Sequence, residues 1–175
     1  KAAIEGFREL LFDSIRLRLR SDVPVGSSLS GGLDSSSIVA TINAQKGSQW
    51  VHQRTFSARF KSRAHDEGHY IDRLTYEVDA EAHEVWIEPE RFMEEFATLQ
   101  WHQEEPIASA SPYAQYMVMR LARENDTTVL LDGQGADLGV VHGRTDVPRQ
   151  EEPARERANA VAGSLRKVKE LEIHR

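Results

Sequence analysis

The sequence contains no cysteine. For this chain that excludes a disulfide framework, a thiolate metal site and a cysteine nucleophile, and it fits a reducing cytoplasm. Long apolar runs are missing too. No stretch approaches the roughly 20 residues of a membrane span, and the charged, amphipathic start at Lys1 is unlike a signal peptide. No membrane association is expected. The chain has no initiator methionine, as a processed or excised piece would not. Basic residues are the minority sign, 22 against 28 acidic ones, and the net charge of −6 argues against nucleic acid as a partner. A local cluster at Arg16, Arg18 and Arg20 reads as a solvated helix face. Trp50, Trp86 and Trp101 are scattered and read as core or boundary packing. Internal repeats and low-complexity segments are absent. What remains is a globular composition, and 175 residues suffice for one domain with its own core.

Ile4, Phe7, Leu11 and Ile15 recur at helical spacing and predict a helix from Ala2 to Leu19. In "SDVPVGSSLS" Pro24 can open a strand but not sit inside a helix. "SSSIVATINA" returns to helical character, "RTFSARF" (Arg54 to Phe60) reads as a strand, and Tyr70, Leu74 and Val78 predict a helix over 66–80. "HEVWI" (His83 to Ile87) reads as a strand. "PERFMEEFATLQW" is a helix opened by a proline in its first turn. After the loop "HQEEPIASASP" come a helix, "YAQYMVMRLARE", and a β-branched apolar run, "TTVLLD" (Thr127 to Asp132). Strands alternating with helices predict an α/β fold: an open parallel sheet with helices on both faces. Beyond Gly143 the character changes. A polar linker precedes Ala154, Ala158, Val161, Leu165 and Val168, whose steps of four and three predict a C-terminal helix docked on the domain. The chain thus divides at 142/143.

Two glycine loops, Ser30–Gly32 and Gly133–Gly135, fall at the carboxyl ends of predicted strands, where open α/β sheets bind ligands. Glycine admits close backbone approach, and successive N–H groups there form an anion nest, backed by the following helix N-terminus. Ser30, Ser35 and Ser36 add uncharged donors. Asp34 and Asp137 would repel bare phosphate; a magnesium ion, which bridges carboxylates to phosphates, removes that conflict. The loop lacks the lysine of a P-loop, so a nucleotide here is gripped differently, as pyrophosphate.

"SGGLDSS" resembles the pyrophosphate-loop signature of the ATP pyrophosphatases, whose fold is adenine-nucleotide α-hydrolase-like. The longer "SDVPVGSSLSGGLDSSSIVA", with "HQEEPIASASPYAQYMVMRLA" and "VLLDGQGAD" following in order, is similar to the synthetase domain of glutamine-dependent asparagine synthetases over residues 3–142. The resemblance implies that Ser30, Gly31, Gly32, Asp34, Ser35 and Ser36 hold pyrophosphate and Mg²⁺. It implies that Leu29 and Ala58 touch adenine and ribose through backbone groups. Asp132 and Gly133 take the place of the family's second ATP-contacting dipeptide, usually Ser-Gly, and Asp137 that of a metal- or pyrophosphate-binding aspartate. Asp34, Gln134 and Asp137 then stand at the reacting end, with Gln134 where many members carry a glutamate. Two departures follow. Leu138 replaces the glutamate of Gly-Ala-Asp-Glu, and residues 143–175 do not align with the family's lysine-bearing helical region. The glutaminase domain, with its N-terminal cysteine, is not in this chain and is expected as a partner.

The implied activity is that of an AMP-forming amide ligase using ATP and Mg²⁺. It activates a carboxylate, by resemblance the β-carboxylate of aspartate, as an acyl-adenylate for attack by ammonia. Alternatives are adenylation of another carboxylate, or a non-catalytic ATP-binding module. Two further signals carry less. "HDEGH" puts His65 and His69 near zinc spacing but without a third ligand, and Asp66 and Glu67 read better as an acidic helix start. Glu105, in "QEE", stands equally as an acid/base group or as part of a solvated loop.

Overall fold

The computed structural model describes residues 2–45, 53–62, 66–107 and 109–135. Its elements are α1 (Ala2–Arg18), β1 (Val25–Ser28), α2 (Leu33–Gln45), β2 (Arg54–Phe60), α3 (Gly68–Val78), β3 (Glu81–Ile87), α4 (Pro89–Gln103), α5 (Ser111–Glu124) and β4 (Val129–Leu131). The four strands form one sheet in the order β3-β2-β1-β4, with every pairing parallel. The predicted helix over 143–175 lies outside the described residues.

Helices cover both faces, as parallel strands require. On one face Leu29, Val39 and Ala40 pack with Ile71, Leu74 and Val78 of α3. On the other, Phe56 meets Val118 and Ala122 of α5, and Leu99, Tyr113 and Met117 close α4 over α5. The α4–α5 contact also has a polar seam on Glu95, whose Oε2 accepts from the Tyr113 hydroxyl at 3.1 Å and whose Oε1 accepts from Arg120 Nη1 at 2.8 Å. Burial and the bond to Glu95 push the Tyr113 hydroxyl up to about 12.

Three features differ from the periodicity. β3 starts two residues before His83, because the Glu81 amide donates to Gln53 O at 2.9 Å and the ladder runs in register from Arg54↔Glu81 to Phe60↔Ile87. α1 forms as expected, but only the Ile15 end of its apolar stripe is buried; Ile4 and Phe7 are 74% and 69% exposed. The helix rests on α2 through its C-terminal half, where Gln45 donates to Phe12 O at 2.7 Å. Trp101, placed in core or boundary by the sequence, is 76% exposed at the end of α4.

The centre of the sheet is tight. A Cβ on Gly26 would stand 2.7 Å from the Phe56 ring, 3.1 Å from Thr127 Cγ2 and 3.2 Å from Leu130 Cδ2. Gly26→Ala is therefore expected to lower stability by about 1–3 kcal/mol through overpacking, read as a lower urea midpoint with an unchanged slope.

Candidate functional site

β1 is the strand at which the connection changes direction: the chain leaves it for β2 and β3 on one side, and β4 pairs on the other. A crevice opens beyond the carboxyl ends of the strands at such a point. Here it is a cleft of about 1010 Å³ whose walls include both glycine loops.

The first loop joins β1 to α2. Gly31 has φ +86°, which favours glycine. Serine hydroxyls hold the loop: Ser35 Oγ accepts from Ser30 N at 3.2 Å and pairs with Ser30 Oγ at 3.0 Å, and Ser30 Oγ accepts from Gly32 N at 3.3 Å. Asp34 is exposed on the first turn of α2. Ser30, Gly32, Asp34 and Ser35 line the cleft. Gly31 and Ser36 do not. Gly31 is buried behind the wall, and the buried Ser36 hydroxyl, like that of cleft-lining Ser28, has no protein partner.

Leu29 and Ala58 both line the cleft but differ in what they offer. Leu29 N donates to Phe56 O at 2.9 Å, and its carbonyl accepts from Ser57 Oγ at 2.7 Å, so only a second carbonyl lone pair is left. Ala58 is different. In a parallel ladder a residue turns its N–H and C=O to the same side, alternating along the strand. Phe56 faces β1; Ala58, two residues on, faces the same way where β1 has already ended at Ser28. Its N–H and C=O therefore edge the cleft.

The second loop reaches the first because residue 133 has no side chain. A Cβ there would lie 2.8 Å from Ser35 N and 3.0 Å from Asp34 Cβ. The turn is tied by Asp132 Oδ1, which accepts from Gln134 N at 3.0 Å, and Gly135 takes φ +88°. Asp132, Gly133 and Gln134 all line the cleft. Asp137 and Leu138 lie outside the described residues.

Sequence reasoning missed the opposite wall. Ala110, Ser111, Ala114, Gln115 and Val118 bring the start of α5 into the cleft, beside Phe56 and Phe60. The signal was present, since a helix following a β3–α4 excursion must pack back across β2, but its register was not readable. Glu67 also lines the cleft, one residue before α3 begins. Glu105, by contrast, is exposed in a loop away from it. The zinc reading finds no support among the described residues, where no group of three His, Cys, Asp or Glu can hold a metal; His65 lies outside them.

The charges of the cleft are one-sided. Asp34, Glu67 and Asp132 line it, and no described Lys or Arg does. For Mg²⁺ this donor set fits one situation: an ion carried on phosphate oxygens, which needs only one or two carboxylates from the protein. A stand-alone protein site is not formed by the described residues.

The Asn_synthase family model, asparagine synthase, matches residues 6–172. The chain belongs to the asparagine synthase family. Among family relatives, a Methanocaldococcus jannaschii protein described as a glutamine-hydrolyzing asparagine synthetase is 36% identical over 137 residues, 78% of this chain and 26% of its own length. Asparagine synthetase (glutamine-hydrolyzing) 1 of Bacillus subtilis is 34% identical over 134 residues, 77% of this chain and 20% of its own length. The chain thus spans about a quarter or less of these relatives. The U34-tRNA thiolase NcsA of Methanococcus maripaludis, solved with its 4Fe-4S cluster, shares the fold with a TM-score of 0.51 at 14% identity, over 93% of this chain and 65% of that one. The fold is that of the PP-loop, adenine-nucleotide α-hydrolase-like proteins. No helix among the described residues is long and apolar enough to cross a membrane.

Behind the Glu67 wall, Arg59 hydrogen bonds hold the Asp66 carboxyl below the usual carboxylate range, against the opposing effect of burial and with help from the Phe60 N–H. A depressed folded pKa contributes stability above the unfolded pKa and loses it as pH falls. The stability gap between the parent and Asp66→Asn should therefore be full at neutral pH and close as pH drops below about 4, as urea melts across pH 3–7 will show.

Proposed function

We propose that this chain is the ATP-binding part of an AMP-forming amide ligase of the asparagine synthase type. The observation that carries this reading is a switch-point cleft that joins a glycine loop, a helix N-terminus and an open strand edge with carboxylates and, among the described residues, no cation. Adenine lies against Phe56, Ala58 and Val118, its polar edge read by the Ala58 backbone and the remaining Leu29 carbonyl lone pair. The polyphosphate lies on Ser30, Gly32 and Ser35, with the unpartnered Ser28 hydroxyl beneath and the positive end of α2 behind. Asp132 and Gly133 face the ribose side, and Gln134 orients the reacting groups by hydrogen bonding, having no charge to act as a base. Asp34 and Asp137 would hold a Mg²⁺ ion brought with ATP, which would supply positive charge for the pyrophosphate group.

In the reaction, a carboxylate oxygen of the substrate, the β-carboxylate of aspartate, attacks the α-phosphorus. The bond to pyrophosphate breaks, and ammonia then displaces AMP from the acyl-adenylate. The loop N–H groups stabilise charge that grows on phosphate oxygens. With no cysteine in this chain, ammonia comes from a separate glutaminase domain, working with it in the reducing cytoplasm.

Titration calorimetry tests the reading. Mg-ATP should bind, and removal of Mg²⁺ by chelation should abolish binding, because three carboxylates otherwise face the phosphates. Asp34→Ala and Gly32→Val should each weaken binding about tenfold or more. Gly32 is the informative site: a Cβ there meets only Ser30 Oγ, at 3.4 Å, so the fold accepts it while the cleft is narrowed. ATP binding that survives chelation, or that neither variant weakens, overturns the assignment.

A further inference from the structure

Arg59 lies outside the cleft yet is the most heavily partnered cation among the described residues. Its side chain is 11% exposed. It donates to both oxygens of Asp66, Nε to Oδ1 at 3.0 Å and Nη2 to Oδ2 at 3.1 Å. Nη1 donates to Asp72 at 3.0 Å and to Glu84 at 2.5 Å, and the guanidinium stands over the Trp86 ring at 5.2 Å. Three carboxylates on one cation is more than ion-pair stability requires, and only one of them belongs to the segment that touches the first glycine loop.

That segment is 66–68. Asp66 Oδ1 also accepts from Phe60 N at 3.1 Å, which ties it to the end of β2. Gly68 is pressed by Arg59: a Cβ there would fall 1.8 Å from Nη2, so the guanidinium and residue 68 share one place. Between these two fixed residues Glu67 has little freedom. Its carbonyl accepts the Tyr70 N–H at 2.9 Å, opening α3, and its Cβ and carbonyl oxygen lie 2.9 and 3.0 Å from where a Cβ on Gly31 would be. Gly31, at φ +86°, therefore rests directly on Glu67.

We propose that Arg59 is a positioning residue for the first glycine loop. Its two-point grip on Asp66, with its contact on Gly68, sets Glu67 as the floor under Gly31 and so fixes the path of the loop backbone through Gly31 and Gly32. The ligand consequence rests on the ATP reading above; the effect on the loop does not. Asp72 and Glu84 hold the guanidinium from α3 and β3 but lie outside the 66–68 segment.

The test separates positioning from stability. Arg59→Lys keeps the charge and loses the two-point grip. It and Asp66→Asn should each weaken Mg-ATP binding about tenfold, and the double variant no further than either alone, as for two residues acting through one contact. Glu84→Ala removes a partner of the same guanidinium; it should lower the melting temperature and leave Mg-ATP affinity unchanged. In amide NMR spectra without ligand, the Gly31 and Gly32 signals should move in Asp66→Asn and stay in place in Glu84→Ala. Equal loss of affinity in Glu84→Ala and Asp66→Asn, or Gly31 and Gly32 signals that do not move in Asp66→Asn, overturns the proposal. A parent chain that binds no Mg-ATP overturns the functional reading instead, and the amide signals still decide the role of Arg59.

Discussion

Backbone meets backbone where the second glycine loop crosses the start of α2, and the other features of the cleft depend on that approach. Residue 133 sits so close to Ser35 N and the Asp34 side chain that any Cβ would intrude at 2.8–3.0 Å. Such contact requires β4 to lie beside β1, which a strand order of β3-β2-β1-β4 supplies. It also requires both strands to end at the same level, and the register Ser27↔Leu131 achieves this. Once the loops touch, the helix N-terminus, two carboxylates and two glycine turns share one wall. Without it, β1 would present a single loop and no enclosed space.

The enclosed space is chemically divided. Phe56, Ala114 and Val118 make one side apolar, while Asp34, Glu67 and Asp132 make the other acidic. A helix N-terminus carries about half an elementary positive charge, which cannot offset three carboxylates facing a polyanion. On the ATP reading, the counter-charge would arrive with the ligand, as a metal ion carried on its phosphates. The serine hydroxyls act on a smaller scale: Ser30 and Ser35 satisfy each other at 3.0 Å, and redirecting such a bond to a phosphate exchanges interactions worth only about 1 kcal/mol each. On that reading, specificity for a charged ligand would rest on backbone N–H groups and the ligand's own counter-ion, while the hydroxyls keep the loop closed.

Much of this was legible in the sequence, because it depends on local signals. The alternation of elements, the strand at 54–60 and both glycine turns follow from residue type and spacing, and the elements among the described residues appear in the expected order. The loop residues Ser30, Gly32, Asp34 and Ser35 gather with Asp132 and Gly133 because strand ends in a parallel sheet necessarily converge. What spacing could not show was partnership across the fold. Gly31 and Ser36 belong to the same motif as Gly32 and Ser35 but stand behind the wall, since a loop turning into a helix directs alternate residues inward. The apolar stripe of α1 predicts the helix that forms, yet helical period says only that an apolar face exists and not what covers it; at Ile4 and Phe7 it is exposed. The contribution of α5 to the cleft depends on how far α4 carries the chain before it returns, a length that no local pattern encodes.

Asp66 and Glu67 show the same limit at its sharpest, because adjacent acids in a sequence look interchangeable. Both read as the acidic start of a helix, and α3 begins only after them, at Gly68. Glu67, at the N-cap, makes no side-chain capping bond, whereas the Asp66 carboxylate accepts from the Gly68 N–H. The difference is set by Arg59, seven residues before Asp66 and on another element. Its fork suits a carboxylate at two points, and it takes Asp66 out of the set of charges facing the cleft. Glu67, held between Asp66 and the glycine pressed by the same guanidinium, is left lining it. Had Arg59 engaged Glu67 instead, the cleft would lose one of its three described carboxylates and Gly31 would lose its support. A single guanidinium thus determines which of two neighbouring acids is structural and which faces the ligand space, and it does so by geometry that only the folded chain contains.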